Sequence, residues 1–359
     1  MRTATGPVER PLVSVVAPCY NEAEGLGEFH RRVSAACRAA AEESYEIVLV
    51  NDGSRDGTWD LVSALSQQDP HVVGLNLSRN HGHQIALTAG LSQAKGERIF
   101  ILDADLQDPP ELLSPMMSAM DAGADVVYGR RRSRKGESWF KLATASAFYR
   151  CLHALTDVDI PLDTGDFRLM SRRAVKALMR MPEQHRFIRG MVTWLGFRQV
   201  AIEYDRDERL AGQTHYPLHR MVRLAFDAIT GFSIQPLRAA SLFGVTVGLA
   251  GLAMLVRSLY VWFTHETVPG WTSLITVVLL LGSVQLLFLG VLGEYVGRLF
   301  MESKRRPLFI ISDVVGRENA ARAWRKLERS PGSGLVAMHR TAAGRSPDDA
   351  VAVSARKAG

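Results

Sequence analysis

The chain has 359 residues, 47% of them hydrophobic and 22% charged, with a net charge of +6. This length and balance describe an ordinary globular protein of two domains or one large one. Three cysteines, Cys19, Cys37 and Cys151, stand far apart without metal-ligand spacing, which argues against a disulfide framework and fits a reducing compartment. The positive balance suits an anionic partner: nucleic acid, a phosphorylated substrate or a lipid surface. The opening MRTATGPVERPL has no apolar core of a signal peptide, so the first domain is expected in the cytoplasm.

Residues 1–215 alternate short apolar runs with helical spacing. LVSVVAP (12–18) reads as a strand, and Leu26, Phe29 and Val33 recur at helical intervals before YEIVLV (45–50). A helical stretch near 57–67, the run VVGLNL (72–77), a helix near 82–94 and the runs RIFIL (98–102) and ADVVYG (124–129) follow. Strands apolar on both faces and separated by helices imply an α/β fold, a mainly parallel sheet covered by helices on both sides. Ligands of such sheets lie beyond the carboxyl ends of the strands. Three polar clusters fall there: PCYNE, NDGSRDGT and DADLQD.

Residues 237–300 are nearly uncharged. Two stretches, about 239–263 and 271–293, are each long enough to cross a hydrocarbon core that needs about 20 apolar residues. Basic residues stand before the first (Arg220, Arg223, Arg238) and after the second (Arg298, Lys304, Arg305, Arg306), so both termini are expected on the cytoplasmic side. Between the α/β part and the spans, 216–236 reads as a basic amphipathic helix, lying in the membrane interface or packed on the soluble domain. A basic juxtamembrane segment (301–316) precedes a tail (317–359) whose composition predicts disorder.

Asp103 and Asp105 end the fourth apolar run one residue apart. If the strand pleat continues through them, both carboxylates face one side and can grip a divalent cation, Mg²⁺ or Mn²⁺. Asp108, before two prolines, reads as a cap of the next helix. Asp52 follows the second strand at the expected ligand edge, while Asp56, Gly57 and Thr58 read as a helix entry. GxGxxG and GxxxxGK[ST] are both absent, which argues against a dinucleotide site or a P-loop. RNHGHQ (79–84) suits a phosphate or base contact better than zinc. Five basic residues between Arg130 and Lys135 are either a solvated loop or a contact for an anionic substrate. In DTGDFRLMSR, Asp163 and Asp166 are open to helix capping or to orienting or deprotonating an acceptor, with capping suiting Asp163 better.

Taken together, VVAPCYNE, VLVNDGSRDGT, LSRNHGHQIALTAGL, DADLQDPPE, YGRRRSRKGES, DTGDFRLMSR, FIRGMVTWLGF, RLAGQTHYPL, FSIQPLR and GEYVGRLF…KRRP resemble family 2 glycosyltransferases of the GT-A fold. The nearest resemblance is to bacterial polyisoprenyl-phosphate glycosyltransferases, kin of dolichyl-phosphate mannose synthases. It implies inverting transfer of a sugar from a nucleotide-sugar, leaning to UDP, to polyprenyl phosphate at the cytoplasmic membrane face, without a nucleic-acid partner. It further implies that Pro18, Tyr20, Glu22, Asp52 and Asp103 bind the nucleotide-sugar, and that Asp103, Asp105 and Gln107 gather around Mg²⁺ or Mn²⁺. Arg131, Arg134 and Arg209 would meet lipid phosphate or diphosphate, and Asp105 and Asp166 are the candidate catalytic residues. A homo-oligomer, often a tetramer, is also implied. The chain departs from the pattern at Thr214, His215 and Tyr216, where relatives often carry serine, lysine and tyrosine. A processive polysaccharide synthase would usually carry a Q-x-x-R-W motif, which is absent.

Overall fold

VSVVAPC and YEIVLVN are buried at every position because each strand is covered on both faces. The computed structural model describes residues 10–132, 164–205, 235–264 and 270–316. Its first half runs β1 (Val13–Cys19), α1 (Leu26–Ala41), β2 (Tyr45–Asn51), α2 (Thr58–Gln68), β3 (Val72–Leu77), α3 (His83–Gln93) and β4 (Arg98–Ile101). A 3₁₀ turn (Pro110–Leu112) then leads into α4 (Leu113–Asp121) and β5 (Val126–Arg131). Apart from the 3₁₀ turn and α4, these are the elements the periodicity predicts, in the expected order.

The second half adds β6 (Thr164–Ser171), α5 (Arg172–Met179), α6 (Ile188–Trp194), β7 (Gln199–Tyr204), α7 (Gln235–Phe263), α8 (Trp271–Ser303) and β8 (Ile311–Val315). The eight strands lie in the order β7-β5-β6-β4-β1-β2-β3-β8. Strands β1 to β4 are mutually parallel, whereas β6 runs antiparallel between β4 and β5, pairing Ile101 with Arg168. That reversal brings the start of β6, with Asp166, to the edge where β1, β2 and β4 end.

Alternation along the strands divides the core into two faces. Val13, Val15, Ala17 and Cys19 join Phe29, Phe100 and Phe167 on one side. Val16, Val48 and Val50 join Leu87, Ile99 and Ile101 on the other. On the second side α3 lies close to the sheet: a Cβ on Gly90 would come 2.3 Å from Val16 Cγ1.

The helices α7 and α8, of 29 and 33 residues, are about 43 and 50 Å long at 1.5 Å per residue. Their most apolar windows, Leu237–Met254 and Leu280–Ser303, have no buried share, and Leu249, Leu286 and Leu289 are each more than 60% exposed. A core helix of a soluble protein would bury such a stripe. Both helices therefore have the length and the exposed apolar surface of membrane-associated segments. The amphipathic helix expected at 216–236 lies outside the described residues up to 234, and its last two residues belong to α7. The tail from 317 also lies outside them.

The segment 301–316 is more than a basic juxtamembrane stretch. After α8 the chain turns through Arg305, whose φ of 47° is the left-handed conformation common just past a helix end. It then buries Phe309 and Ile311 and adds β8 antiparallel to β3 at the sheet edge. Ser312 Oγ donates to Asn76 O at 3.1 Å. The chain thus leaves the sheet for two long helices and returns to it.

Candidate active site

A cleft of about 500 Å³ opens at the carboxyl ends of β1, β2 and β4, where the topology predicts a ligand. Its walls include Pro18, Cys19, Tyr20, Glu22, Asp52, Asp103, Asp105 and Asp166, so seven of the expected site residues converge there. Gln107 does not line it; its backbone N–H donates to Asp105 Oδ1 at 3.1 Å. Arg131 does not line it either: Nε donates to the Tyr204 hydroxyl at 3.5 Å, and Nη2 lies 4.0 Å from Asp108 Oδ1. Arg134, Asp163, Arg209 and His215 lie outside the described residues.

The first wall is an interlocked pair of loops. Asn21, at φ 56°, accepts the Arg55 amide at 2.9 Å and presents its own amide to Ser54 Oγ at 3.0 Å. Asp56 accepts the amides of Thr58 and Ala23, so this helix entry also binds the β1 loop. Asp52 is almost fully buried, and its two oxygens accept the amides of His81 and Gly82 at 2.7 and 3.0 Å. Burial pushes its carboxyl up, against the pull of those amides. Asp52 therefore shapes the loop that delivers Asn80, Gly82 and His83 to the cleft.

Two local expectations fail for physical reasons. Strand β4 stops at Ile101, and Ala104 and Asp105 lie in a turn with Leu106 at φ 58°, so a continued pleat is not what aligns Asp103 and Asp105. Asp108 is not the helix cap: the N-cap is Pro109, and Asp108 accepts the Tyr204 hydroxyl within the core. An aspartate before two prolines matches a capping pattern, but β7 presents a buried hydroxyl that needs an acceptor.

The opposite wall is built around Asp166, 4% exposed. Its Oδ1 accepts from Arg189 Nε at 3.1 Å, and Oδ2 accepts from Gln84 Nε2 at 2.7 Å. His83 Nε2 stands 3.2 Å from Oδ2, and Arg168 Nη2 3.8 Å from Oδ1. Burial alone would raise this carboxyl, but Arg189, His83 and Arg168 outweigh it and hold the group well below the usual carboxylate range. A carboxylate so held orients its neighbours and is a poor proton acceptor. Burial alone would lower the His83 imidazole, yet Asp166 and Asp103 lift it to about 9.

Asp103 has one oxygen without a hydrogen-bond donor: Oδ1 is buried, with His83 Nε2 3.4 Å away. Burial pushes its carboxyl up to about 6; His83 opposes that shift, while Asp166, Asp108 and Asp105 add to it. Among the described residues no three His, Cys, Asp or Glu side chains close around one point. An orphaned carboxylate oxygen beside a second carboxylate fits an oxygen-liganded cation that takes its remaining ligands from water and phosphate.

The residues 14–179 match the family model described as Glycosyl transferase family 2. Over 307 residues, covering 85% of this chain and 95% of the relative, the sequence is 47% identical to the uncharacterized glycosyltransferase YkcC of Bacillus subtilis (strain 168). This chain belongs to glycosyl transferase family 2. A second relative, the uncharacterized glycosyltransferase sll0501 of Synechocystis sp. (strain ATCC 27184 / PCC 6803 / Kazusa), is 41% identical over 85% of this chain and 96% of its own. The prophage bactoprenol glucosyl transferase homolog of Escherichia coli (strain K12) is 38% identical over 84% and 99%. The family resemblance read from the motifs is thus correct, and the mainly parallel sheet with its flanking helices is the architecture expected with it.

Sequence reasoning assigned no role to Gln84, Phe187 or Arg189, which also line the cleft. Each sits within a quoted motif, LSRNHGHQIALTAGL or FIRGMVTWLGF, but pattern alone does not reveal that α3 and α6 converge on Asp166.

Proposed function

We propose that this cleft transfers a sugar, with inversion, from a nucleotide-sugar to polyprenyl phosphate at the cytoplasmic membrane face, with UDP-glucose the favoured donor. The observation that carries the reading is the Asp103–Asp105 pair in the cleft of a chain that aligns over 84% of its length with a bactoprenol glucosyl transferase homolog. The exposed apolar surface of α7 and α8 supports a lipid-borne acceptor, and the flanking basic residues support cytoplasmic termini.

An oxygen of the acceptor phosphate attacks the anomeric carbon. The bond from that carbon to the donor's β-phosphate breaks, and the electron pair leaves with the nucleoside diphosphate. A phosphate monoester, with its second pKa near 6, is largely dianionic at neutral pH and needs no protein base. This agrees with Asp166 as an orienting carboxylate. Asp103 and Asp105, with Gln107 beside them, would hold Mg²⁺ or Mn²⁺, which when bound stabilises charge developing on the diphosphate. Pro18, Tyr20, Glu22 and Asp52 form the nucleoside wall, and His83 stands beside the diphosphate position. Arg134 and Arg209 meet lipid phosphate or diphosphate, whereas Arg131 is held by Tyr204 and Asp108 outside the cleft lining.

The test is incubation of membranes containing the protein with labelled UDP-glucose and undecaprenyl phosphate, counting label extracted into organic solvent. Wild type should form a β-linked lipid phosphosugar, and Asp105→Ala should lose at least about 100-fold of that activity. Undiminished transfer by Asp105→Ala, or a product that retains the donor's anomeric configuration, sinks the assignment.

A further inference from the structure

The cytoplasmic end of α8 is tied to the wall of the cleft. Glu302, in the last turn of α8, accepts the Gln184 backbone amide on Oε1 at 2.7 Å. Gln184 Nε2 in turn donates to Arg306 O at 3.0 Å, just past the left-handed turn at Arg305. Gln184 belongs to the irregular segment between α5 and α6, whose next residues lead straight into the cleft. Phe187 and Arg189 line it, the Ile188 amide donates to Gln84 Oε1 at 2.9 Å, and Gln84 and Arg189 both hold Asp166. On its inner side the segment is pinned by buried Arg186, which donates to Met181 O and Leu178 O at 2.9 and 3.0 Å.

We propose that Glu302 and Gln184 are positioning residues that couple the seating of α8 in the bilayer to the placement of Phe187 and Arg189. The coupling rests on the reading of this cleft as a transfer site fed from the membrane. The segment between α5 and α6 has no helix or strand of its own to fix it, so its position follows its two anchors. One anchor, Arg186, is internal to the α/β domain. The other is a helix whose depth and tilt are set by lipid. An acceptor phosphate on a membrane-held chain must meet a donor held by the sheet, and a wall anchored in both frames keeps the reacting atoms in register. The nucleoside side of the cleft, on the β1 and β2 loops, is held by its own contacts among Asn21, Ala23, Ser54, Arg55 and Asp56. Loss of the tie should therefore spare donor binding and impair the productive geometry, in which a misplacement of about 1 Å can cost up to about 100-fold.

The experiment uses the full chain in lipid bilayers with UDP-glucose and undecaprenyl phosphate. Glu302→Ala should lower kcat by about 10- to 100-fold, with KM for UDP-glucose within about twofold of wild type. Glu302→Gln keeps a carbonyl acceptor for the Gln184 amide and should retain most of kcat, an outcome a role for bulk charge does not give. Hydrogen exchange followed by mass spectrometry should show faster exchange across 184–190 in Glu302→Ala, with protection in β1 and β2 unchanged. Gln184→Ala, which loses only the contact to Arg306 O, should shift both readouts in the same direction by less. Wild-type kcat in Glu302→Ala overturns the coupling, as does faster exchange spread evenly over the sheet. If wild type transfers no sugar, the functional reading fails, and the exchange pattern still decides whether the tie exists.

Discussion

Arg189 Nε stands 3.1 Å from Asp166 Oδ1 and joins α6 to the start of β6 in one wall of the cleft. Arg168 shares the same carboxylate at 3.8 Å and is itself buried. Removing Asp166 would take the shared carboxylate away from these two cations, a change that typically costs about 3–5 kcal/mol. Asp166→Ala should therefore lower the unfolding midpoint sharply as well as abolish transfer. Asp166→Asn keeps the shape and an acceptor oxygen, so it should recover part of the stability and little of the activity. Thermal unfolding in detergent and the lipid-transfer assay, run on the same preparations, test this. A variant as stable as wild type would show that Asp166 is not the electrostatic hub of this wall.

Gly53 governs the opposite wall. It takes φ 65°, and a Cβ there would stand 2.5 Å from Asn80 N and 2.6 Å from Arg79 C. Both neighbours are backbone atoms, so the 79–82 loop must move if the side chain grows. That loop supplies the His81 and Gly82 amides to Asp52. Gly53→Ala should raise KM for the nucleotide-sugar about tenfold or more and destabilise the fold by about 1–3 kcal/mol. Isothermal titration with UDP gives the binding arm; affinity equal to wild type would break the link between Gly53 and the donor pocket.

The first half of the sheet was legible because its strands are apolar on both faces and end in polar clusters, a pattern that needs no tertiary information. That pattern and the family resemblance pick out Pro18, Tyr20, Glu22, Asp52, Asp103 and Asp105, all of which line the cleft. What escaped depends on contacts distant in sequence. Strand β6 interleaves charge with apolar residues, and Arg168 is buried only because Asp166 and the Gly165 carbonyl neutralise and bind it. Strand β8 follows a long apolar helix, and its place in the sheet comes from the turn at Arg305 and from pairing with β3 some 235 residues earlier, a partner that local pattern cannot name. Asp108 shows the converse error, a correct capping pattern overruled by the Tyr204 hydroxyl.

The orphaned oxygen of Asp103 bears on metal dependence. If a divalent cation completes this site, exhaustive chelation should abolish transfer, and Mg²⁺ or Mn²⁺ should restore it in wild type. Asp105→Ala should stay inactive across the same additions, because it lacks a carboxylate and not merely the ion. Titration of Mn²⁺ by electron paramagnetic resonance, in the presence of UDP, reports binding separately from turnover. Full activity after chelation would remove the metal from the mechanism.

Far from the cleft, Asp69 binds two histidines from different elements. Oδ2 lies 2.8 Å from His30 Nε2 on α1, and Oδ1 accepts the His71 amide at 2.9 Å with His71 Nδ1 at the same distance. His71 also stacks on Tyr45 at 4.1 Å between ring centroids, so this carboxylate fixes the turn between α2 and β3 against β2. Burial would raise the carboxyl, but the His71 amide and the His30 and His71 rings outweigh it and hold it below the usual range. A depressed folded value means that the stabilisation is fully present above the unfolded value, about 3.9, and is lost as pH falls through the folded one. Asp69→Ala should thus cost about 1–3 kcal/mol at pH 7. The gap to wild type should narrow below about pH 4, as wild type loses the same interaction by protonation. Paired denaturation curves at pH 7, 5 and 3 measure it, and a gap that stays constant down to pH 3 would show that the Asp69 charge contributes nothing to the fold.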